Sequence, residues 1–328
     1  MAKGVKKVAV TGACGQIAYS LIFLIASGQL FGQEQNIDLH LLDVKEAMPR
    51  LKGVEMELLD CAFPLLNHII YGDDAKKVLE GVDTVFLLGS KPRGPGMERR
   101  DLLQDNGHIF AEQGKILEQV AASPATLLVV GNPCHTNCLI LQSYAKSHHC
   151  YAMTQLDANR ATSLLAQKAK VNPDLVKRMI IWGNHSLTQV VDYSYVTIQG
   201  KRAKDVIEDH IWLEHTFPKT VQERGGEVIL ARGKSSAASA AKAALETMQS
   251  LLFPTDLNGW FSVGLLSDHN PYGVHEGIVF SFPCQRTLQG NIQIVPSLEL
   301  SSSLREKIKR SEEELLEEKR IITALLGS

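Results

Sequence analysis

The first half of the chain alternates short apolar segments with longer amphipathic ones. Residues 5–10 are rich in β-branched side chains and stop at Gly12, and an apolar segment at 17–25 follows. This order predicts a buried strand, a tight glycine turn and a buried helix. Residues 37–42 form a second apolar run of strand length, and it ends at Asp43.

Two more apolar runs end abruptly at glycine. Residues 84–88 precede Gly89, and residues 126–130 precede Gly131-Asn132. Between them, apolar residues recur with the 3.6-residue period of a helix, at Leu102, Leu103, Ile109, Phe110, Ile116, Leu117 and Val120. Alternating buried strands and helices predict an α/β fold with a Rossmann-type, doubly wound parallel sheet.

The pattern changes in the second half of the chain. A helix is predicted from about Ala158, and a strand is predicted at 179–182. Alternating positions at 191–197 then lead to a turn at 199–201, which indicates an antiparallel, half-exposed pair. This part of the chain therefore predicts mixed α+β structure.

Two further strands and a closing helix complete this half. The strands are predicted at 261–266 and 277–282, and the helix is predicted to begin with a capping box at 303–306. The change of pattern places a boundary near residue 155. It divides the chain into a doubly wound domain at 1–155 and a C-terminal α+β domain at 156–328.

Composition and charge narrow the class of protein. The chain has 328 residues, of which 45% are hydrophobic and 21% charged, and its net charge is -2. This charge gives no reason to expect nucleic acid or an anionic membrane as a partner. The longest mostly apolar stretch, at 17–26, is shorter than the roughly 20 residues of a membrane span, and no leader pattern is visible. Six scattered cysteines are typical of reduced thiols, so a cytoplasmic location without a metal site is expected.

The glycine turn after the first strand has the spacing of a dinucleotide site. Gly12 permits the tight turn, Gly15 lets the backbone approach a pyrophosphate, and the small Ala18 lets the helix pack on the strand. The N–H groups at the helix N-terminus favour phosphate. Asp43 is placed to accept hydrogen bonds from an adenosine ribose and to repel a 2′-phosphate, which favours NAD over NADP, although the nearby Lys45 leaves NADP use open.

Histidine, aspartate and arginine then follow in an order that suits hydride transfer to a 2-keto acid. Such a reaction needs a proton donor with a pKa near neutrality, which histidine supplies, and a planar cation that grips a carboxylate, which arginine supplies. Asp157 and Arg160 share a face of one predicted helix, and His185 follows the strand at 179–182. Taken singly, Arg160 is more often a surface arginine and His185 a satisfied loop histidine.

A glycine- and proline-rich loop lies between Gly89 and Asp101. It carries Arg93, Arg99 and Arg100. Loops of this composition commonly close over active sites, whereas isolated loop arginines are more often solvated charge.

Together these segments resemble the malate dehydrogenase branch of the malate/lactate dehydrogenase family, particularly its cytosolic type. The resemblance covers almost the whole chain, and the segments that carry it are TGACGQIAYS, LLDV, MELLDCAFPLL, PGMERRDLL, GNPCHTNC, LDANRA, IIWGNHS and SSAASAAKA. It implies an NAD-dependent enzyme of the tricarboxylic acid cycle that interconverts (S)-malate and oxaloacetate. It also implies a homodimer, with NAD bound by 1–155 and substrate by 156–328.

The resemblance implies a role for each site residue. His185 is the implied acid/base, oriented by Asp157, and Arg99 polarises the substrate carbonyl. The implied substrate-binding residues are Arg93, Arg99, Asn132, Arg160 and Ser236. The implied cofactor-binding residues are Gly12, Ala13, Cys14, Gly15, Gln16, Ile17, Asp43, Gly89, Asn106, Gln113, Val130 and Asn132.

Arg93 is the residue expected to decide the substrate. In this family the position takes arginine in malate dehydrogenases and an uncharged residue in typical lactate dehydrogenases. The second carboxylate of oxaloacetate is costly to desolvate without a cation, and a methyl group there would leave the arginine unpaired. Discrimination against pyruvate of roughly 10³-fold or more is expected.

Two other functions remain open from the sequence. One is a dehydrogenase for lactate or another 2-hydroxy acid, against which Arg93 argues. The other is a non-catalytic dinucleotide-binding protein, which would not need His185, Asp157 and Arg160 together.

Cys14 stands where the family usually has alanine, so its thiol is either a redox-sensitive group or simply a small turn residue.

Overall fold

The protein consists of two compact units. A computed structural model describes residues 4–91, 99–254 and 259–327. The first unit comprises Met1–Ala152, Ala237–Gln249 and Glu318–Ser328, and the second comprises Met153–Ser236 and Ser250–Glu317. The division expected near residue 155 treats each domain as one stretch of chain, whereas in both units separate stretches come together.

The main elements up to residue 153 are β1 (Lys6–Thr11), α1 (Gln16–Ala26), β2 (Ile37–Leu42), α2 (Met48–Asp60), β3 (Leu66–Gly72), α3 (Ala75–Val78), β4 (Thr84–Leu87), α4 (Arg99–Val120), β5 (Thr126–Val129), α5 (Cys134–Tyr144) and β6 (His149–Met153). The remaining ones are α6 (Gln155–Ala169), β7 (Val176–Lys177), β8 (Ile180–Trp182), β9 (Val190–Asp192), β10 (Thr197–Ile198), β11 (Lys201–Arg202), α7 (Ala203–Val206), α8 (Phe217–Arg232), α9 (Ala238–Leu252), β12 (Phe261–Leu266), β13 (Val279–Arg286), β14 (Ile292–Ile294) and α10 (Ser302–Ile322). Short 3₁₀ or π segments lie at Lys45–Ala47, Pro173–Leu175, Trp212–Thr216 and Thr323–Leu325.

The first unit is built on a parallel sheet in the order β3-β2-β1-β4-β5-β6. This is the doubly wound order, with the switch between β1 and β4, and it confirms the predicted fold. Because Thr11 pairs with Leu87, the turns that follow β1 and β4 lie side by side. The sheet therefore brings together two glycines, Gly12 and Gly89, that are far apart in sequence.

The predicted helix after the glycine turn is α1. It begins directly after Gly15, which has an extended backbone, and buries Leu21, Ile22 and Ile25 on one face. Burial of one such aliphatic side chain contributes about 1.5–3 kcal/mol. The sequence pattern left α2, β3, α5 and β6 unassigned, and these elements complete the sheet and its flanking helices.

The second unit combines helices with short antiparallel strands. β8 pairs with β9, and β10 pairs with both β7 and β11, around the turn predicted at 199–201. β12 pairs antiparallel with β13, which pairs antiparallel with β14. The core shared by α6, α8 and the strands between them comprises Leu165, Met179, Ile181, Val191, Val196, Ile198, Phe217 and Val221.

A cap at Ser303 predicts Leu304 as the first residue of the last helix, so the predicted cap and the predicted start are both wrong by two residues. α10 begins at Ser302, so Ser303 lies inside the helix and cannot form the expected capping box. Instead, Ser301 Oγ accepts a hydrogen bond from the backbone N–H of Leu304 at 3.2 Å. Three consecutive serines offer three possible caps, and local spacing alone does not choose among them.

Two features bear on compartment and metal binding. Within the described ranges, no helix is both long and apolar enough to cross a membrane. All six cysteines are free thiols, and no group of three or more potential metal ligands occurs among the described residues.

Candidate active site

The turn between β1 and α1 is tightly packed against the turn after β4. Gly12 has φ +66°, and a Cβ atom built there would lie 2.6 Å from Cα of Gly89. A Cβ on Gly15 would lie 3.0 Å from the carbonyl oxygen of Gly12. A side chain at position 12 would therefore clash with backbone, and one at position 15 would press on the Gly12 carbonyl, so both positions favour glycine. The N-terminus of α1 that follows them favours an anionic ligand.

Asp43 follows β2 and braces the same turn. Its Oδ2 accepts a hydrogen bond from the N–H of Cys14 at 2.8 Å, and its Oδ1 accepts one from the N–H of Val44 at 2.8 Å. A carboxylate has about four acceptor positions, so further donors can still bind it. Asp43 thus has the capacity to receive ribose hydroxyl groups while it holds the glycine turn.

A cleft of about 780 Å³ in the first unit adjoins this turn. Its lining residues are Thr11, Gly12, Cys14, Gly15, Leu42, Asp43, Val44, Arg50, Asp73, Ala75, Leu88, Gly89, Ser90, Lys91, Ile109, Glu112, Gln113 and Ile116. Oε1 of Gln113 is buried and has no hydrogen-bond partner in the described part of the chain. An unpaired buried acceptor, a glycine cradle and Asp43 together fit a dinucleotide.

Six of the predicted cofactor residues line this cleft: Gly12, Cys14, Gly15, Asp43, Gly89 and Gln113. The side chain of Asn106 is fully buried, and it hydrogen-bonds the backbone of Lys91 and Asn132. Five further residues of the predicted cofactor site also do not line the cleft: Ala13, Gln16, Ile17, Val130 and Asn132. Asn132 is solvent-exposed.

The sequence pattern missed two cations of the cleft, Arg50 and Lys91. Arg50 lies on α2, which was not predicted, so no signal pointed to it. Lys91 follows β4 by four residues, and its Nζ is 2.7 Å from Asp105 Oδ2. Its position shortly after the end of β4 is the same signal that identified Gly89.

Cys14 packs as a small turn residue. Its thiol donates a hydrogen bond to the carbonyl oxygen of Ala47 at 3.6 Å. Burial and the neighbouring Asp43 carboxylate raise the pKa of the Cys14 thiol. Since the thiolate is the reactive form, this environment disfavours oxidation.

In the second unit, the side chain of Asp157 contacts both a predicted catalytic residue and a predicted substrate-binding residue. Asp157 is fully buried in the first turn of α6. One of its oxygens, Oδ2, accepts a hydrogen bond from Nδ1 of His185. The other, Oδ1, accepts one from Arg160 at 3.0 Å. The guanidinium of Arg160 also donates to Ser236 Oγ at 3.3 Å, so four predicted residues form one cluster.

Local structure explains how the cluster forms. Asp157 and Arg160 are three residues apart on α6 and therefore share a face. His185 lies two residues beyond Gly183, whose φ of +91° turns the chain away from the end of β8. Gly225 on α8 lies beside Arg160, and a Cβ there would lie 3.8 Å from the guanidinium, an ordinary van der Waals contact.

Charge pairing shifts the pKa values of both partners. The Asp157 carboxylate raises the pKa of His185 above its ordinary value, and this effect outweighs the opposing effect of burial. Burial acts to raise the pKa of Asp157, but the charges of His185 and Arg160 together hold it below its usual value. The cluster therefore favours an imidazolium next to a carboxylate.

The predicted loop arginines cannot be placed in this cluster. Arg93 lies outside the described residues, as does the side chain of Arg99. Their assigned contacts with substrate remain predictions.

The strand order, the glycine turn and the acidic residue that ends β2 define a dinucleotide-binding α/β protein. Residues 6–151 match the NAD binding domain of lactate/malate dehydrogenases, and residues 154–325 match the alpha/beta C-terminal domain of the same proteins. The chain belongs to the lactate/malate dehydrogenase family and is an oxidoreductase of that family.

Similar proteins span the whole chain. A malate dehydrogenase of Protochlamydia amoebophila (strain UWE25) is 51% identical over 98% of this chain and 98% of that protein. A chloroplastic NADP malate dehydrogenase of Sorghum bicolor is 47% identical over 99% of this chain and 76% of that protein. The crystal structure of malate dehydrogenase from Naegleria fowleri ATCC 30863 aligns with a TM-score of 0.95 and 41% identity, covering 99% of this chain and 100% of that one.

Proposed function

We propose that this chain is an NAD-dependent malate dehydrogenase that interconverts (S)-malate and oxaloacetate. The observation that carries the proposal is the buried Asp157 carboxylate, which contacts both His185 and Arg160. A 2-hydroxy-acid dehydrogenase needs a proton donor and acceptor in its substrate domain, and it needs a cation that binds the carboxylate of the substrate. The Asp157 side chain holds one of each. The relatives named above support malate as the substrate.

Each residue of the cluster has a part in the reaction. The glycine turn and Asp43 would hold NAD, which would supply the hydride acceptor for the oxidation of malate. His185 takes the hydroxyl proton at Nε2, because its Nδ1 is committed to Asp157. The imidazolium so formed is stabilised by the Asp157 charge, and it returns the proton during oxaloacetate reduction. Arg160 grips the C1 carboxylate with its planar fork, and Ser236 helps to orient that fork.

The choice of malate over lactate rests on Arg93. Arg93 pairs with the second carboxylate of the substrate, and Arg99 polarises the carbonyl. Asn132 lies beside the substrate in this proposal. A lactate dehydrogenase is the second candidate function, because the family includes both activities.

The cofactor part of the proposal assigns NAD rather than NADP. Asp43 supports NAD, since its negative charge would repel a 2′-phosphate. Arg50 and Lys91 also line the cleft, and a chloroplastic relative is named for NADP, so both cofactors have to be measured. We assign cofactor binding to 1–155 and substrate binding to 156–328. Ala13, Gln16, Ile17, Asn106 and Val130 belong to the proposed cofactor site.

We also propose that the enzyme is a cytoplasmic homodimer that serves the tricarboxylic acid cycle. Six free thiols are consistent with a reducing compartment. In the first unit, the side chains of Met56 and Leu59 are 55% and 62% exposed on α2, and Tyr19 on α1 is 40% exposed. Apolar side chains exposed together are typical of interfaces. In sedimentation, Leu59→Glu should reduce the mass from twice 36.1 kDa to that of one chain, whereas Leu288→Glu should not.

The experiment that tests the catalytic proposal is steady-state oxidation of NADH and of NADPH with oxaloacetate or pyruvate. We expect a strong preference for NADH with oxaloacetate. His185→Asn should abolish turnover while it leaves NADH binding intact, because His185 lies in the second unit. Equal or better turnover of pyruvate would support the lactate dehydrogenase instead, and full activity of His185→Asn would overturn the assigned chemistry.

A further inference from the structure

The loop that carries His185 is tied to α10 by one carboxylate. Oε2 of Glu314 accepts hydrogen bonds from the side chains of three loop residues. Asn184 donates through Nδ2 at 3.1 Å, Thr188 donates through Oγ1 at 2.6 Å, and Ser186 donates through Oγ. These donors flank His185 on both sides, so Glu314 fixes the loop before and after the histidine.

Ser311 reinforces the same attachment one helical turn earlier. Its hydroxyl is fully buried, accepts the backbone N–H of Asn184 at 2.8 Å and lies 3.0 Å from Oγ1 of Thr188. Gly183 packs directly on it, because a Cβ there would lie 2.2 Å from the Ser311 hydroxyl. Residues three apart share a helix face, so Ser311 and Glu314 hold the loop together.

Packing alone does not explain how this loop is held. Leu187, at its centre, is 73% exposed and so contributes little apolar burial. Polar contacts with α10 therefore take the place of a hydrophobic anchor. A carboxylate suits this role because hydrogen bonds to an ionised acceptor are roughly twice as strong as those between neutral groups.

Asp157 by itself leaves part of the histidine geometry undetermined. It fixes Nδ1 from the side of α6, whereas the backbone on either side of the ring decides where Nε2 points. A displacement of about 1 Å in a catalytic group can cost roughly 100-fold in rate. An attachment that holds both neighbours of His185 therefore has a direct effect on proton transfer.

We propose that Glu314 is a positioning residue for His185. Its carboxylate, assisted by Ser311, holds Asn184, Ser186 and Thr188 so that the imidazole stays on Asp157 with Nε2 directed at the substrate. The catalytic part of this inference rests on the proposed role of His185 as the acid/base. The structural part, that Glu314 maintains the contact between His185 and Asp157, does not depend on it.

The test uses Glu314→Gln in the full-length protein, with Glu313→Gln as the matched control. Glu313 is exposed on the same helix, and its substitution makes the same change in charge. We expect Glu314→Gln to lower kcat roughly 10- to 100-fold, with the dissociation constant of NADH unchanged. The control should retain the activity of the wild type.

A second readout separates positioning from catalysis. In protein labelled with ¹⁵N-histidine, the Nδ1 proton shared with Asp157 gives a low-field NMR resonance, which His185→Asn identifies by its loss. Glu314→Gln should weaken or shift this resonance, and Glu313→Gln should not. If Glu314→Gln matches the control in both kcat and the resonance, the proposal is overturned.

The remaining outcomes are also informative. A changed resonance with an unchanged kcat would support positioning and overturn the acid/base role of His185. A lowered kcat with an unchanged resonance would overturn positioning through the Asp157 contact. If Glu314→Gln does not fold, Ser186→Ala and Thr188→Val each remove one donor, and each should shift the resonance by a smaller amount.

Discussion

Nδ1 of His185 donates a hydrogen bond to Asp157, whose carboxylate is fully buried. Arg160 supplies a second cation to the same carboxylate at 3.0 Å. Removing one partner from a buried charge pair costs about 3–5 kcal/mol, because the other charge is left without compensation. The contact therefore sets the charge of the imidazole as well as its orientation.

The first prediction concerns pH. Since the Asp157 charge raises the pKa of His185, the histidine remains protonated to a higher pH than a free imidazole. Oxaloacetate reduction needs the protonated form, so its kcat/KM falls as pH rises through the raised pKa. Malate oxidation needs the neutral form, so its kcat/KM falls as pH drops through the same pKa. Asp157→Asn should move both limbs to lower pH and reduce the rate roughly 10²- to 10⁴-fold.

Asp192→Asn is the matched control for this measurement. Asp192 is also a buried carboxylate of the second unit, but it accepts hydrogen bonds from Trp182 and Ser194. Its substitution should leave the pH at which each limb falls unchanged. If the limbs stay in place in Asp157→Asn, Asp157 does not set the pKa of the catalytic group.

The second prediction concerns the glycine turn. Gly12→Ala places a Cβ 2.6 Å from Gly89 Cα, in addition to a backbone with φ +66°. Gly32→Ala has a similar backbone, with φ +87°, but nothing lies within 4 Å of the new atom. The left-handed conformation costs about 1–2 kcal/mol in both variants, and the clash adds about 1–3 kcal/mol in Gly12→Ala alone.

Thermal unfolding and NADH titration distinguish these two costs. Both variants should have a lower Tm, with the larger decrease in Gly12→Ala. Only Gly12→Ala should bind NADH more weakly. If the clash raises the free energy of the NADH complex by a similar amount, the dissociation constant of NADH rises about tenfold or more. Equal effects of the two substitutions would mean that the close approach to Gly89 does not shape the cofactor site.

Much of the first unit was predictable because its strands are apolar and end abruptly. The strand at 37–42 and the strand at 261–266 in the second unit are confirmed with the predicted bounds. Gly12 and Gly89 lie close together because each follows the carboxyl end of a strand, and these ends lie at the same edge of the parallel sheet. In contrast, α2 buries only Leu51, Val54 and Leu58 among polar neighbours, so its period was not detected.

The hydrogen bonds between Glu314 and the loop that carries His185 could not be predicted from the sequence, for a different reason. Glu314 lies 130 residues from Asn184 along the chain, and glutamates are frequent on exposed helices. Nothing in the spacing of α10 distinguishes Glu314 from Glu313. Only the folded arrangement shows that one of the two accepts three hydrogen bonds from the histidine loop.

The third prediction concerns substrate choice. Arg93 lies outside the described residues, and the expectation follows from charge balance. Arg93→Leu should lose most of the preference for oxaloacetate over pyruvate, because the second carboxylate would lack a cation and a methyl group would no longer face one. Steady-state kcat/KM for both keto acids measures this, and a shift of roughly 10³-fold in their ratio is expected.

Arg100→Leu is the control for Arg93→Leu. Arg100 is exposed at the start of α4, and its replacement removes the same charge from a nearby position. The ratio of the two kcat/KM values should stay near that of the wild type. If both variants change the ratio equally, the net charge of the region decides the substrate, and Arg93 has no specific role.

The fourth prediction concerns the cofactor. Asp43→Asn removes the negative charge but keeps an oxygen that can accept one of the hydrogen bonds from Cys14 and Val44. The 2′-phosphate of NADPH would no longer meet a like charge, and Arg50 and Lys91 in the same cleft would then attract it. The ratio of kcat/KM for NADH to that for NADPH should fall by about 10- to 100-fold, which corresponds to about 1.4–2.7 kcal/mol.

Glu46→Gln removes an exposed carboxylate nearby that does not line the cleft, so it should leave this ratio unchanged. An unaltered ratio in Asp43→Asn would mean that the Asp43 carboxylate acts only as a brace for the glycine turn and that other residues select the cofactor.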